Sequence, residues 1–538
     1  MDNSSLNRAP SDADLKKGIP DLEHSVSRPL GNLSDEERLA QLGHQQELGR
    51  NFSLPALGAL CLCLMATWEA LSTVISSALV SGGPPCLFYN YVLSFACTVC
   101  IVLSLGEIAS IYPTAGGQYH WVAALCPPST RTAASWATGW ISVGGQIVLT
   151  ASAAFAAGLQ AQALITLNHP DTYTPTRWQG MLFYWAILAY AAVLNIWGMK
   201  AMPHVNLVSG ILHVGAFAGI VITLGVMAPK NTASFVFTEF VNSSGWKSDG
   251  VSWLVGMQSA VYPFLGYDAA CHLAEELPHA SRNVPLAMVG SVIVNGIMGF
   301  AYVIILLYSA SSLESLLTTP TGFPFIQIFL DATKSQAGAT VMSLMPVLIA
   351  TAATVAGTAS TSRTLWAFAR DKATPFHEYF SHVNTTLQVP VRAVAFILIL
   401  QVLLGLIYLG NATAFNAILS MAIIGLYISY FLPIFYMTFF GRRTLKRSDY
   451  GSFTLPRAVG VVANVIAMIW MIVVIIFSTF PLAMPVTAQS MNYSSVVLAG
   501  WALFGAVYYY TGGKNTYEVP LTDLTVILEE TEETVNMK

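Results

Sequence analysis

The chain has 538 residues, of which 54% are hydrophobic and only 10% charged, against roughly 25% charged in ordinary soluble domains. That composition excludes a soluble enzyme or binding domain and predicts a polytopic, all-α membrane protein whose main non-protein partner is the lipid bilayer. The net charge of -4 says little about other partners, and nucleic acid is not among those expected.

Residues 1-50 hold nine acids and six bases without an apolar run, so they read as a disordered arm rather than a signal peptide. Apolar runs of about 20 residues then predict twelve spans, near 55-80, 86-112, 134-165, 179-198, 204-229, 252-274, 284-309, 338-368, 391-409, 412-440, 458-480 and 492-511. With the N-terminus inside, 20 of the 24 Lys and Arg fall on one side. Only Arg177, Lys230, Lys247 and Lys334 fall on the other. Basic residues collect in cytoplasmic loops, so both termini are expected in the cytoplasm. The domain expectation is therefore a 1-50 arm, a 51-511 transmembrane unit and a 512-538 cytoplasmic tail that reads like the arm.

Within the spans, "CLMATWEALSTVIS" (Cys63 to Ser77) carries Glu69 at mid-membrane depth with no glycine. "SLGEIASIYPTAGGQYHWVAAL" (Ser104 to Leu125) ends span two in a Pro-Thr-Ala-Gly-Gly turn. Span five contains Asn206 and His213, and the 230-251 loop contains "NSS" at Asn242, a glycosylation sequon that is used or unused. Span six runs into "SAVYPFLGYDAACHLAEELPHASRNVP" (Ser259 to Pro285), where Pro263 and Gly266 predict unwinding near 263-268. Asp268, His272 and Glu275 are spaced i, i+4, i+7, which puts them on one helical face, with Glu276 beside them. The seven cysteines have neither metal-ligand nor disulfide-framework spacing and read as packing residues. Walker A, H-E-x-x-H and G-x-S-x-G patterns are absent from the sequence, and no enzyme activity or cofactor is expected.

The turn after span two, "GYDAACHLAEELPHASRNVPLAM" after the start of span six and "TSRTLWAFARDKATP" after span eight resemble the amino acid-polyamine-organocation permeases. The match is nearest the fungal amino acid/choline/GABA branch and covers about 50-511. "NFSLPALGAL", "SGGPP" and "FPLAMPVTAQSMNY" add to it. The resemblance implies a five-plus-five inverted repeat with spans one and six broken at mid-membrane, plus two C-terminal spans, and a substrate held between the half-helices. It implies a secondary transporter, by family habit of the plasma membrane, carrying choline, GABA or another amino acid. A polytopic enzyme, a nutrient sensor on a permease scaffold and a polyamine permease are the alternatives.

The substrate-binding set expected on this basis is Thr67, Trp68, Glu69, Gln146, Tyr262, Phe264, Gly266, Tyr267 and Asp268. Trp68, Tyr262, Phe264 and Tyr267 would form with Glu69 a cage for an ammonium group. Glu69 either binds that group or is a protonated structural acid, and Asp268 either contacts substrate or gate or caps a helix. In sodium-independent relatives a Lys at what looks like the position of His213 stands in for sodium, reaching toward spans one and eight. Here a His would carry a proton or simply pack, with "GTASTS" at 357-362 as partners or as small-residue packing. Glu107, Glu275 and Arg363 are expected to close a cytoplasmic gate, with Arg282 or Arg363 as partners of the Glu275-Glu276 pair.

Overall fold

The computed structural model describes residues 48, 52-410, 414-488 and 490-520. The expected arm at 1-50 and the tail beyond 520 lie outside these residues, apart from Leu48, which is buried against Ala115, Trp366 and Ala367. The described residues form helices and no β-strand, only one isolated bridge between Asn384 and Val389.

Nine helical stretches among the described residues are long and apolar enough to cross a membrane. The difference from the twelve expected spans has a physical origin. Spans one and two are counted together within Leu54–Ile111, although Gly83, at φ 72, turns the chain between them just before Pro84 and Pro85. Span six is broken into short pieces, and the last span combines Ser494–Tyr508 with a wider turn at Tyr509–Gly513. Span three, Arg131–Asn168, packs along span eight, Gln336–Arg370, and span ten, Ala414–Tyr436. Span seven, Ala280–Tyr308, packs along spans one and two.

Span one starts at Leu54–Met65, capped by the Ser53 hydroxyl accepting from Ala56 N. It breaks at Ala66, which sits in the left-handed region at φ 43, and resumes at Thr67. The break thus forms without glycine. Span six runs through Asp249–Gly256 and Gln258–Val261, unwinds through Leu265 to Asp268, and resumes at Ala269–His272. Gly266 has φ 101, and a Cβ there would stand 3.0 Å from Leu64 Cγ, so glycine permits both the backbone turn and the approach of span one.

Unwound backbone at membrane depth must find partners inside the protein. Thr67 Oγ1 donates to Pro263 O at 2.8 Å and ties one break to the other. Asn295 of span seven braces span one on both sides of Ala66. Its Nδ2 donates to Leu62 O at 3.2 Å and its Oδ1 accepts from Thr67 N at 3.4 Å.

In the 230-251 loop, Asn242 Nδ2 donates to Trp246 O at 3.0 Å and Asp249 Oδ1 at 2.9 Å, so the sequon amide is engaged in loop structure. The seven cysteines are free thiols.

The first part of the tail is ordered, contrary to the expectation for 512-538. Tyr517 is buried and shares a hydrogen bond with Ser135 Oγ at 2.6 Å, while Glu518 N donates to Asp371 O at 3.0 Å. Lys372 pairs with Glu518. The Asp371 carboxylate accepts from Tyr119 Oη at 2.8 Å. Burial pushes this carboxyl from an ordinary 3.8 up to about 7, against the opposing pull of the Arg370 guanidinium. A raised carboxyl means that the folded state binds the proton more tightly than the unfolded chain does. Its stabilising contribution is therefore full at acid pH and is lost as pH rises from about 4 through 7. Asp371→Asn, neutral throughout, is expected to raise the apparent Tm in detergent by roughly 2 °C at pH 8, with the gap narrowing toward pH 5. A thermal-shift series giving a less stable variant at pH 8 would show instead that the ionised carboxylate holds the tail in place.

Candidate functional site

The breaks in spans one and six enclose a cavity of about 30 Å³, lined by Ala66, Glu69 and Thr73 of span one and Tyr262 and Leu265 of span six, with Ala153 of span three and Ala353 of span eight. A single water needs roughly 10–15 Å³, so this space is of the order of two waters. Thr73 also lines a larger polar cleft of about 420 Å³, bounded by Gln162, Arg177, Thr321 and Asn416. The cleft lies at the end of the molecule that carries the 169-176 and 309-323 loops.

Glu69 is the acidic group of the small cavity and is 2% exposed. Its Oε1 stands 2.7 Å from Nδ1 of His213, itself 0% exposed, on span five, Met202–Met227. Glu69 Oε2 and His213 Nε2 have no partner among the described residues. His213 therefore reaches span one as expected but not the polar run of span eight. Thr361 of that run bonds Thr150 at 3.1 Å, and Thr358 bonds Thr354 O of its own helix.

The expected aromatic cage does not form. Successive helical residues point about 100° apart, so with Glu69 turned to the cavity, Trp68 faces away. Its ring packs on His213 at 6.0 Å, Phe217 at 6.4 Å and Tyr302 at 5.4 Å between centroids. Phe264 stacks on Phe95 at 5.7 Å, and Tyr267 packs on Tyr430 at 5.4 Å. Of the four rings only Tyr262 lines the cavity, its hydroxyl 2.8 Å from Ser152 Oγ.

Asp268 belongs to a second, separate polar cluster. Its Oδ1 accepts from Tyr430 Oη at 2.7 Å and its Oδ2 from Gln118 Nε2 at 2.9 Å and Gln146 Nε2 at 3.5 Å. It makes no side-chain cap on Ala269–His272. His272 Nδ1 donates to Ala115 O at 3.0 Å, and its Nε2 stands 2.6 Å from Gln146 Nε2 and 3.5 Å from Asp268 Oδ2. Thr364 Oγ1 donates to Gln146 Oε1 at 2.9 Å and closes the cluster. Gly117 of the Pro-Thr-Ala-Gly-Gly turn has φ 56, and a Cβ there would stand 2.7 Å from His272 Cε1. The motif is thus a glycine-dependent seat for that imidazole.

Three buried ion pairs close the end opposite the cleft; Arg363 takes one acid of the Glu275-Glu276 pair as expected, while Glu275 and Glu107 take arginines that were not expected. Glu276 pairs with Arg363 at 2.8 Å, and Glu275 receives both terminal nitrogens of Arg370 at 3.0 and 3.1 Å. Glu107 takes Arg442 at 2.5 Å and Leu455 N at 2.9 Å, rather than joining Arg363. Arg282 is exposed. Glu275 leaves the face shared by Asp268 and His272 because the chain tightens into a 3₁₀ turn at Ala274–Glu276. Tyr430, Gln118, Arg370 and Arg442 were not singled out in the sequence. Each is one of many similar residues near a span end or in an apolar run, and only the folded contacts distinguish them.

Comparison with known proteins agrees with this architecture. The family model described as amino acid permease matches residues 52–504. The chain is 29% identical to a choline transporter of Saccharomyces cerevisiae, over 94% of this chain and 89% of that one. It is 29% identical to the amino-acid permease BAT1 of Arabidopsis thaliana, over 91% and 97%. It is 32% identical to a putative amino acid/polyamine transporter of Macrophomina phaseolina, over 80% and 95%. This chain belongs to the amino acid permease family, as an integral multi-pass membrane transporter of amino acids or related amines and not an enzyme.

Proposed function

We propose that the protein is a secondary active transporter that takes up a small amine-bearing solute, choline, GABA or another amino acid, with Glu69 as the counter-charge for its ammonium group and His213 as the proton site. The observation that carries this is the buried Glu69 carboxylate, with one oxygen on His213 and the other unpartnered, lining the cavity between the two helix breaks. An ionisable residue at membrane depth marks a substrate or ion path by default. The names of the yeast and plant relatives favour the same substrate classes.

The end closed by the Glu275, Glu276 and Glu107 pairs is taken as cytoplasmic, in line with the distribution of basic residues, and the membrane as the plasma membrane. The cleft above Thr73 is then the outer vestibule, and the ion pairs are the inner gate. In this reading Thr67 and Gly266 shape the site through its backbone. Trp68 supports His213, while Phe264, Tyr267, Asp268 and Gln146 hold the neighbouring helices.

Uptake of radiolabelled choline, GABA and an amino-acid panel by transport-null cells expressing the chain tests the reading, and no uptake above control would end it. Glu69→Gln keeps size and hydrogen bonding but removes the charge. A lost charged contact in a buried site costs about 2–5 kcal/mol, so the apparent KM is expected to rise roughly thirtyfold or more at unchanged surface level. Near-wild-type affinity would identify Glu69 as a neutral structural acid.

Arg363→Ala removes one partner of a buried pair that holds only the closed inner gate. Conformational bias then changes without loss of site contacts. Maximal velocity is expected to fall about fivefold or more, with substrate affinity within about twofold. Unchanged transport in a normally expressed variant would remove Arg363 from the gate.

A further inference from the structure

The charge of the Glu69–His213 pair depends on one proton. With a neutral imidazole the pair carries one negative charge; with an imidazolium it is neutral. Both side chains are almost fully buried, and an uncompensated charge in such a place is strongly disfavoured. The surroundings offer no other ready compensation among the described residues. Span one adds Cys63, and Ser72 bonded to Tyr302 of span seven at 2.6 Å. Span six adds Tyr262, bonded to Ser152, and span eight presents Ala350 and Ala353. Asp268 and His272 are engaged with Tyr430, Gln118 and Gln146 in their own cluster. Among the described residues no other ion pair reaches Glu69 or His213.

The loaded site is therefore favoured when substrate and pair sum to zero charge. We propose that His213 sets proton stoichiometry by the charge of the cargo: a permanent cation is carried against a neutral His213 without a proton, whereas a net-neutral zwitterion is carried with one proton on His213. This rests on the reading of Glu69 as the ammonium counter-charge. The geometry gives each charge its place. Oε1 is held by Nδ1 in either protonation state, and the unpartnered Oε2 is left for the ammonium group. The Trp68 ring packs beside the imidazole, 6.0 Å between centroids.

The consequence is a pH dependence of opposite sign for two cargoes sharing one site. Cation affinity improves as pH rises and His213 loses its proton, and zwitterion affinity improves as pH falls. Choline and glycine betaine make a matched pair of probes, because both carry a trimethylammonium head and only the second adds a carboxylate; γ-aminobutyrate serves as a primary-amine zwitterion.

The test uses the full chain in phosphatidylglycerol-phosphatidylethanolamine liposomes with an internal pH dye, at about pH 5.5 and 7.5. The apparent KM for choline is expected to fall roughly fivefold or more over that interval, with no substrate-driven proton entry. The KM for either zwitterion is expected to rise by a similar factor, with about one proton per molecule. His213→Asn keeps an amide donor near the Nδ1 position and cannot be protonated, so it should flatten both profiles and abolish zwitterion-driven proton entry. A purely structural His213 would leave the profiles parallel to wild type. The same pH slope for both charge classes, or proton entry with choline equal to that with a zwitterion, overturns the proposal. If only one class is carried, the sign of its slope and its proton flux decide alone. Uptake that stays sensitive to Glu69→Gln while the slopes coincide refutes the proton rule but not the substrate site. If none of the three probes moves, both readings fall.

Discussion

A carboxylate buried at the depth where two helices are broken is the constraint on which this molecule turns. Hydrocarbon offers no hydrogen bonds, so each group exposed by the breaks must be met by protein. Thr67 and Asn295 meet the backbone, and His213 meets one oxygen of Glu69. The other oxygen has no partner among the described residues, and Glu69 lines the cavity. A fully satisfied site would be a structural pair. This one is satisfied by the framework on one side only.

Asp268 provides the contrast. It lies just as deep, but Tyr430, Gln118 and Gln146 reach its two oxygens and tie spans three, six and ten to the interfacial helix Gln118–Leu125. That cluster continues through Ala115, which donates to Glu275, into the ion pairs at the closed end. The two buried acids thus divide between a chamber and the machinery that closes it. Such closure is bistable in character, because buried pairs are either made with good geometry or badly lost. Arg370 adds to this by lying over the Trp366 ring at 4.5 Å while holding Glu275.

Much of this was legible in the sequence. Apolar run length gave the spans, and Pro263 with Gly266 marked the unwound part of span six, because these residues act through local backbone geometry. Glu69, His213 and Asp268 stood out because ionisable groups are rare at such depth. What was not legible depends on tertiary phase. Neighbouring helical side chains point about 100° apart, and the large Trp68 ring packs on His213, Phe217 and Tyr302 rather than lining the cavity with Glu69. The left-handed Ala66 carries no glycine signal. Arg363, expected at the Glu275-Glu276 pair, took Glu276, but Glu275 and Glu107 took Arg370 and Arg442, which nothing in the sequence singled out, and Arg442 lies 335 positions from Glu107. The docking of Tyr517 was hidden in a polar segment that read, in sequence, like the N-terminal arm.

The most direct measurement of the central claim is a cryo-EM structure of the full chain with a transported amine bound. The account predicts the amine nitrogen within about 4 Å of the Glu69 carboxylate, beside Tyr262, with the Asp268 cluster intact. Density for the amine against Asp268, with Glu69 still engaged by His213 alone, would contradict it.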